Sequence, residues 1–168
     1  MKKVMLFALV ASMFMSSYSL KAQDAPYKHS VGGVVGFIEG FSYKGFLLNN
    51  LAIQADAGFG IGFPYMSTKV NVNLMYQGYI KKGFYWFAGG GLSGGYAFGG
   101  AATIFGTTFN SYGLLGVNAI GGAEYKFAKI PLTLQADIRP GVAFHMNRSV
   151  FKPYFDYNFL NISARYTF

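Results

Sequence analysis

Six charged residues lie inside segments that are otherwise strongly apolar. Lys44, Asp56, Glu124, Asp137, Arg139 and Arg165 each occupy the polar side of an alternating apolar/polar pattern. An isolated charge in a poorly solvated interior is costly, so residues placed this way must find partners. Three cations face three anions, and equal numbers of each sign suit a paired ionic network. A selective passage would more naturally carry a ring of one sign. The chemistry on offer is therefore a salt-bridged plug, with a gate on a narrow ion path as its rival.

Other reactive types are sparse. His145, Ser149 and Asp156 supply the residue types of a hydrolytic triad, but geometry and not spacing defines a triad. No catalytic set is assigned and the chain is read as a non-enzyme. His29 stands alone near the first alternating segment, and no clustered His/Cys/carboxylate pattern suggests a metal. No cofactor is expected. Gly89, Gly91 and Gly94 in "GGGLSGG" match G-x-G-x-x-G formally. A dinucleotide site needs a helix after those glycines, whereas strand pattern continues here through "YAF". The glycines are read as allowing curvature and leaving room for neighbouring aromatics.

Composition says what must position these residues. The chain has 168 residues, 52% hydrophobic and 19% aromatic, with 12% charged and no cysteine. The charged share is about half that of a typical soluble domain, so either much of the surface faces lipid or the chain is an unusually sticky β-protein. Lys2 and Lys3 precede an apolar run, Val4 to Met15, and then the more polar "SSYSLKAQ". That layout predicts a cleavable signal peptide over residues 1–23, too short in its apolar part for a spanning helix. Loss of Lys2, Lys3 and Lys21 lowers the formal charge of +8 by three, to +5. No dense Lys/Arg run remains that would mark a nucleic-acid surface.

Residues 24–168 break into short alternating segments, which leaves a β-barrel as the structure compatible with a membrane. Eight strands are predicted, over 30–38, 40–48, 51–61, 69–80, 84–98, 112–127, 130–144 and 157–168. In "LAIQADAGF", Leu51, Ile53, Ala55, Ala57 and Phe59 oppose Gln54 and Asp56. In "LTLQADIRP", Leu132, Leu134, Ala136 and Ile138 oppose Thr133, Gln135, Asp137 and Arg139. Tight turns at "NN", "KKG" and "AK" alternate with longer connections at 62–68, 99–111 and 145–156, the arrangement of short periplasmic turns and longer external loops. Facing parity predicts three-residue turns, with Asn50 and Gly83 left-handed. Phe84 and Trp86 at one end, and Tyr112, Phe144 and Tyr157 at the other, are expected to form interfacial girdles. The loop "HMNRSVFKPYFDYN", with Arg148 and Lys152, is expected to contact anionic lipopolysaccharide or a partner, or simply to cap the barrel.

The final segment "NISARYTF" ends in alternation on Tyr166 and Phe168. It resembles the C-terminal signal read by the barrel-assembly machinery. Together with "GFSYKGFLLNNLAIQADAGFG" and "GAEYKFAKIPLTLQADIRPGVAF", it makes residues 30–168 resemble the small eight-stranded outer-membrane β-barrels of Bacteroidota, and more distantly the OmpA, OmpX and OmpW barrels. The resemblance implies an antiparallel up-and-down transmembrane barrel in the bacterial outer membrane. Its implied partners are membrane lipid, lipopolysaccharide and, during insertion, the assembly machinery. It specifies activity poorly. A structural or surface-interaction role without a wide pore is the leading expectation. The rivals are a narrow channel for small or apolar solutes and a lipid-modifying enzyme.

Overall fold

Strict period-two alternation places successive side chains on opposite faces of a strand, and the chain uses this to build one closed wall. The computed structural model describes residues 25–62, 65–98, 111–147 and 150–168. The expected signal peptide, most of the expected loop at 99–111, and Arg148 and Ser149 lie outside the described residues. The strands are β1 (His29–Gly36), β2 (Glu39–Leu48), β3 (Leu51–Gly62), β4 (Tyr65–Lys81), β5 (Phe84–Phe98), β6 (Tyr112–Lys126), β7 (Leu132–Ile138), β8 (Gly141–Asn147), β9 (Val150–Asp156) and β10 (Asn161–Thr167).

These ten segments make an eight-stranded antiparallel barrel. β6 pairs with β7 through Gly121–Lys126 and with β8 through Gly113–Asn118, so β7 and β8 are two halves of one strand. The interruption falls at Arg139 and Pro140, where a proline has no N–H to give the ladder. The Pro140 carbonyl still accepts from the Ala119 N–H at 3.0 Å. β9 and β10 are likewise halves of the last strand, separated at 157–160. β10 pairs with β1 from Ser30↔Thr167 to Gly36↔Asn161 and closes the ring.

Inside and outside are inverted relative to a soluble protein. Along β10, Asn161, Ser163, Arg165 and Thr167 are buried, while Ile162 and Tyr166 are 48% and 56% exposed. The same holds on β3, where Gln54 and Asp56 are buried and Phe59 is exposed. Near the turn end the lumen holds a small apolar layer of Ala52, Met75, Phe87 and Ile120, with Phe46 packed against it.

Several expectations need correction. The connection at 145–156 is largely strand, because β8 and β9 form a hairpin with Asn147↔Val150. Pro153 lies within β9 opposite Phe144, and a proline is tolerated there because this is an edge strand among the described residues. β4 begins at Tyr65, so the connection after β3 is also short. Leu48↔Leu51 and Lys81↔Phe84 are paired, leaving two-residue turns in place of three, with a register shift beside each supplying the extra residue. Lys82 (φ 47°) and Gly83 (φ 85°) carry the left-handed geometry, and Asn50 does not. Tyr112 packs its ring on His145 inside the barrel and is not a girdle residue. Phe84, Trp86 and Tyr157 are on the outer wall. The Gly-rich stretch remains in strand β5 throughout.

Candidate functional site

The alternation that makes the wall also loads its inner face. On β7, residues two apart share that face, so "QAD" followed by Ile138 and Arg139 stacks Gln135, Asp137 and Arg139 up one side of the lumen. Gln54 and Asp56 rise in the same way on β3. The result is two ionic clusters, one above the other.

The cluster toward the turns is built around Glu124. Its Oε2 accepts from Lys44 Nζ at 2.9 Å and from Arg165 Nη2 at 3.0 Å. Gln77 Nε2 donates to Oε1 at 3.2 Å. Tyr27, in the segment before β1, reaches in and donates to the same carboxylate at 2.9 Å while its ring stands edge-on to Phe46. Burial, and then the Glu124 charge beside it, push the Tyr27 phenol well above its ordinary range, so it stays a donor. Lys44 Nζ also donates to Gln77 Oε1 at 2.5 Å and lies 4.9 Å from the centre of the Phe87 ring. Arg165 Nη1 donates to Ser42 at 2.9 Å.

The second cluster is built around Arg139. Its Nε and Nη2 donate to the two Asp137 oxygens at 2.5 and 3.1 Å, a bidentate fork, and Nη1 donates to Asp56 at 2.6 Å. Gln54 Nε2 supports Asp56 at 2.9 Å, and Asn161 Nδ2 supports Asp137 at 3.2 Å. Gln135 joins the clusters: its Nε2 donates to Asp137 at 2.7 Å and to Gln54 at 3.0 Å, while its Oε1 accepts from Arg165.

All six charged residues named from the sequence thus meet in one network. Each has an oppositely charged atom within 3.0 Å and is essentially buried. Sequence reasoning missed Tyr27, Ser42 and the three glutamines, Gln54, Gln77 and Gln135. The glutamines and Ser42 lay at inward positions of the alternation; Tyr27 precedes the first strand, where no periodicity could point to it. The arrangement ties six of the eight strands across the lumen, and its titratable groups have no open face toward a substrate.

Toward the other end, His145 sits between Tyr112 and Tyr154, each with ring centres 4.4 Å away. Asp156 lines a depression with Lys69, Asn71, Ser93, Tyr154 and Asn158. His29 is elsewhere, beside the β10–β1 closure, with Nδ1 2.9 Å from the Tyr43 hydroxyl. Among the described residues no group of three His, Asp or Glu side chains could hold a metal ion. Tyr166 and Phe168 both point outward, 56% and 61% exposed, with ring centres 6.5 Å apart. Comparison with family models, with curated proteins and with solved structures gave no match.

Proposed function

We propose that the chain is a small integral barrel of a bacterial outer membrane, of the Bacteroidota type it resembles, with a structural or surface-interaction role and no wide pore. The observation that carries the reading is the inverted wall. Val35, Phe41, Leu47, Leu92, Leu115 and Ile162 are all roughly half exposed or more on the outside, while Lys44, Arg139 and Arg165 are buried within. A monomer in water rarely leaves such a continuous apolar surface uncovered. A lipid phase makes it favourable, and closure of β10 onto β1 pairs the ladder groups along that seam. Export through a signal peptide and recognition of the outward Tyr166 and Phe168 rings by the assembly machinery belong to the same proposal.

Expression with residues 1–23 present, followed by fractionation, tests it. The protein should enter the outer-membrane fraction and migrate differently on a gel before and after heating. Full solubility of the folded chain without detergent would sink the reading.

The buried network favours the plug over the channel, because the charges that would line a passage are spent on one another. The lipid-modifying alternative has no comparable support: His145 is packed between two tyrosines, and nothing in the network is poised for proton transfer to a bound substrate.

A further inference from the structure

The end of the barrel formed by the turns at 49–50, 82–83 and 127–131 carries one sign of exposed charge. Lys28, Lys81, Lys82, Lys126 and Lys129 stand there. Among the described residues no exposed Asp or Glu lies beside them. Glu124 is buried in the lumen, and Glu39 and Asp156 belong to the opposite end. None of these lysines is within ion-pair distance of a carboxylate among the described residues.

All but Lys28 gather on two adjacent turns. The Lys126 main-chain N–H donates to the Gly83 carbonyl at 2.8 Å, which sets the β6–β7 turn directly beside the β4–β5 turn. The Lys82 main-chain N–H donates to the Tyr79 hydroxyl at 2.8 Å and steadies the second of these. Lys126 Nζ donates to the carbonyls of Phe127 and Ile130 at 2.9 and 3.1 Å. An ammonium has three N–H donors, so one is left without a protein partner among the described residues. This cation is held over its turn with neither a carboxylate nor a full set of acceptors. Beside it the rings of Phe84, Tyr125 and Phe127 form a run, with successive centres 4.6 and 4.8 Å apart. Phe84, Trp86 and Ile130 are exposed on the same arc. Ammonium groups fringing an aromatic band reproduce the layering of a bilayer interface.

We propose that these two turns bind the headgroup of an anionic phospholipid in the leaflet at the turn end, with its acyl chains against the aromatic run. The inference rests on the membrane reading above. Charge complementarity selects the headgroup. The phosphate meets the spare Lys126 donor, with Lys82 and Lys129 on the same two turns. The patch offers no carboxylate to hold an ethanolamine or choline ammonium, so a net-neutral lipid gains less there than an anionic one. The exposed aromatics select a lipid over a soluble anion, which would leave them uncovered. Each lysine close to an anionic lipid surface strengthens binding roughly fivefold, and salt screens the gain.

The test uses the folded barrel in phosphatidylcholine nanodiscs that also hold phosphatidylglycerol and phosphatidylethanolamine, in equal amounts and with identical chains. Native mass spectrometry reads which lipid stays bound. Phosphatidylglycerol should be retained about tenfold more strongly than phosphatidylethanolamine, and the preference should shrink as ammonium acetate is raised. Lys82→Gln combined with Lys129→Gln should bring the two lipids to within about twofold of each other. Lys28→Gln, beside β1 and across the ring from β5, should leave the preference in place. Both variants should keep the gel shift of the folded barrel. No preference for phosphatidylglycerol, a preference that survives the paired substitution, or one lost equally with Lys28→Gln would overturn the site while leaving the membrane reading intact. Failure to form a heat-modifiable barrel would overturn both.

Discussion

Glu124 holds two cations at once, and this makes the charged residues unequal. Arg165→Ala leaves Glu124 paired with Lys44, Gln77 and Tyr27. Glu124→Gln strands Lys44 and Arg165 together, because neither has another carboxylate within ion-pair distance. Removal of one partner from a buried pair costs roughly 3–5 kcal/mol. Glu124→Gln should therefore reach that range in urea unfolding from lipid vesicles, with Arg165→Ala clearly below it. Equal losses would show that the carboxylate is not the hub. Tyr27→Phe keeps the ring on Phe46 and deletes one hydrogen bond to a charge, which is worth roughly 1.5–3 kcal/mol. A loss of that size in the same unfolding assay, with the gel shift unchanged, is the expected result.

Turns and wall strands make their own demands. Lys82 is a non-glycine residue at φ 47°, in a two-residue hairpin whose first position favours asparagine. Lys82→Asn should stabilise the barrel by roughly 0.5–1 kcal/mol through reduced backbone strain, read as a higher urea midpoint with an unchanged slope. Leu134 faces outward on β7 and is 40% exposed. Leu134→Arg should cost roughly 2–4 kcal/mol if it lies near the bilayer midplane, and a negligible effect would mean that this face does not meet lipid. Period two was enough to place Leu134 outside and Gln135 inside, because one-residue errors of facing would bury a whole apolar set. It was not enough at β9, where Pro153 and the charged Lys152 and Asp156 disguise an edge strand as a loop. The turns were misjudged by one residue, since a bulge and a longer turn leave the same facing parity in the sequence. The six ionic residues were legible because charge on an inward position has few other uses; the glutamines that bridge them were not, because an uncharged inward residue carries no such demand.

Across the whole molecule the lumen is crossed by side chains, so planar-bilayer recording of the inserted barrel should show very small conductance. A large, stable open state would favour the channel. The network also joins residues far apart in the chain: the Arg165–Ser42 and Lys44–Glu124 contacts span 123 and 80 positions. Until β10 meets β1, Arg165 cannot reach Ser42 and the ring has two open edges. A half-wound sheet therefore exposes both unpaired ladder groups and uncompensated charge, and no smaller barrel is a comfortable stopping point. Folding should be slow, as non-local pairing is, and effectively all-or-none. In kinetic terms the plug is a ratchet: once the last strand docks, escape requires several buried ion pairs to separate in one event, so the barrel should outlast its equilibrium stability when diluted into denaturant.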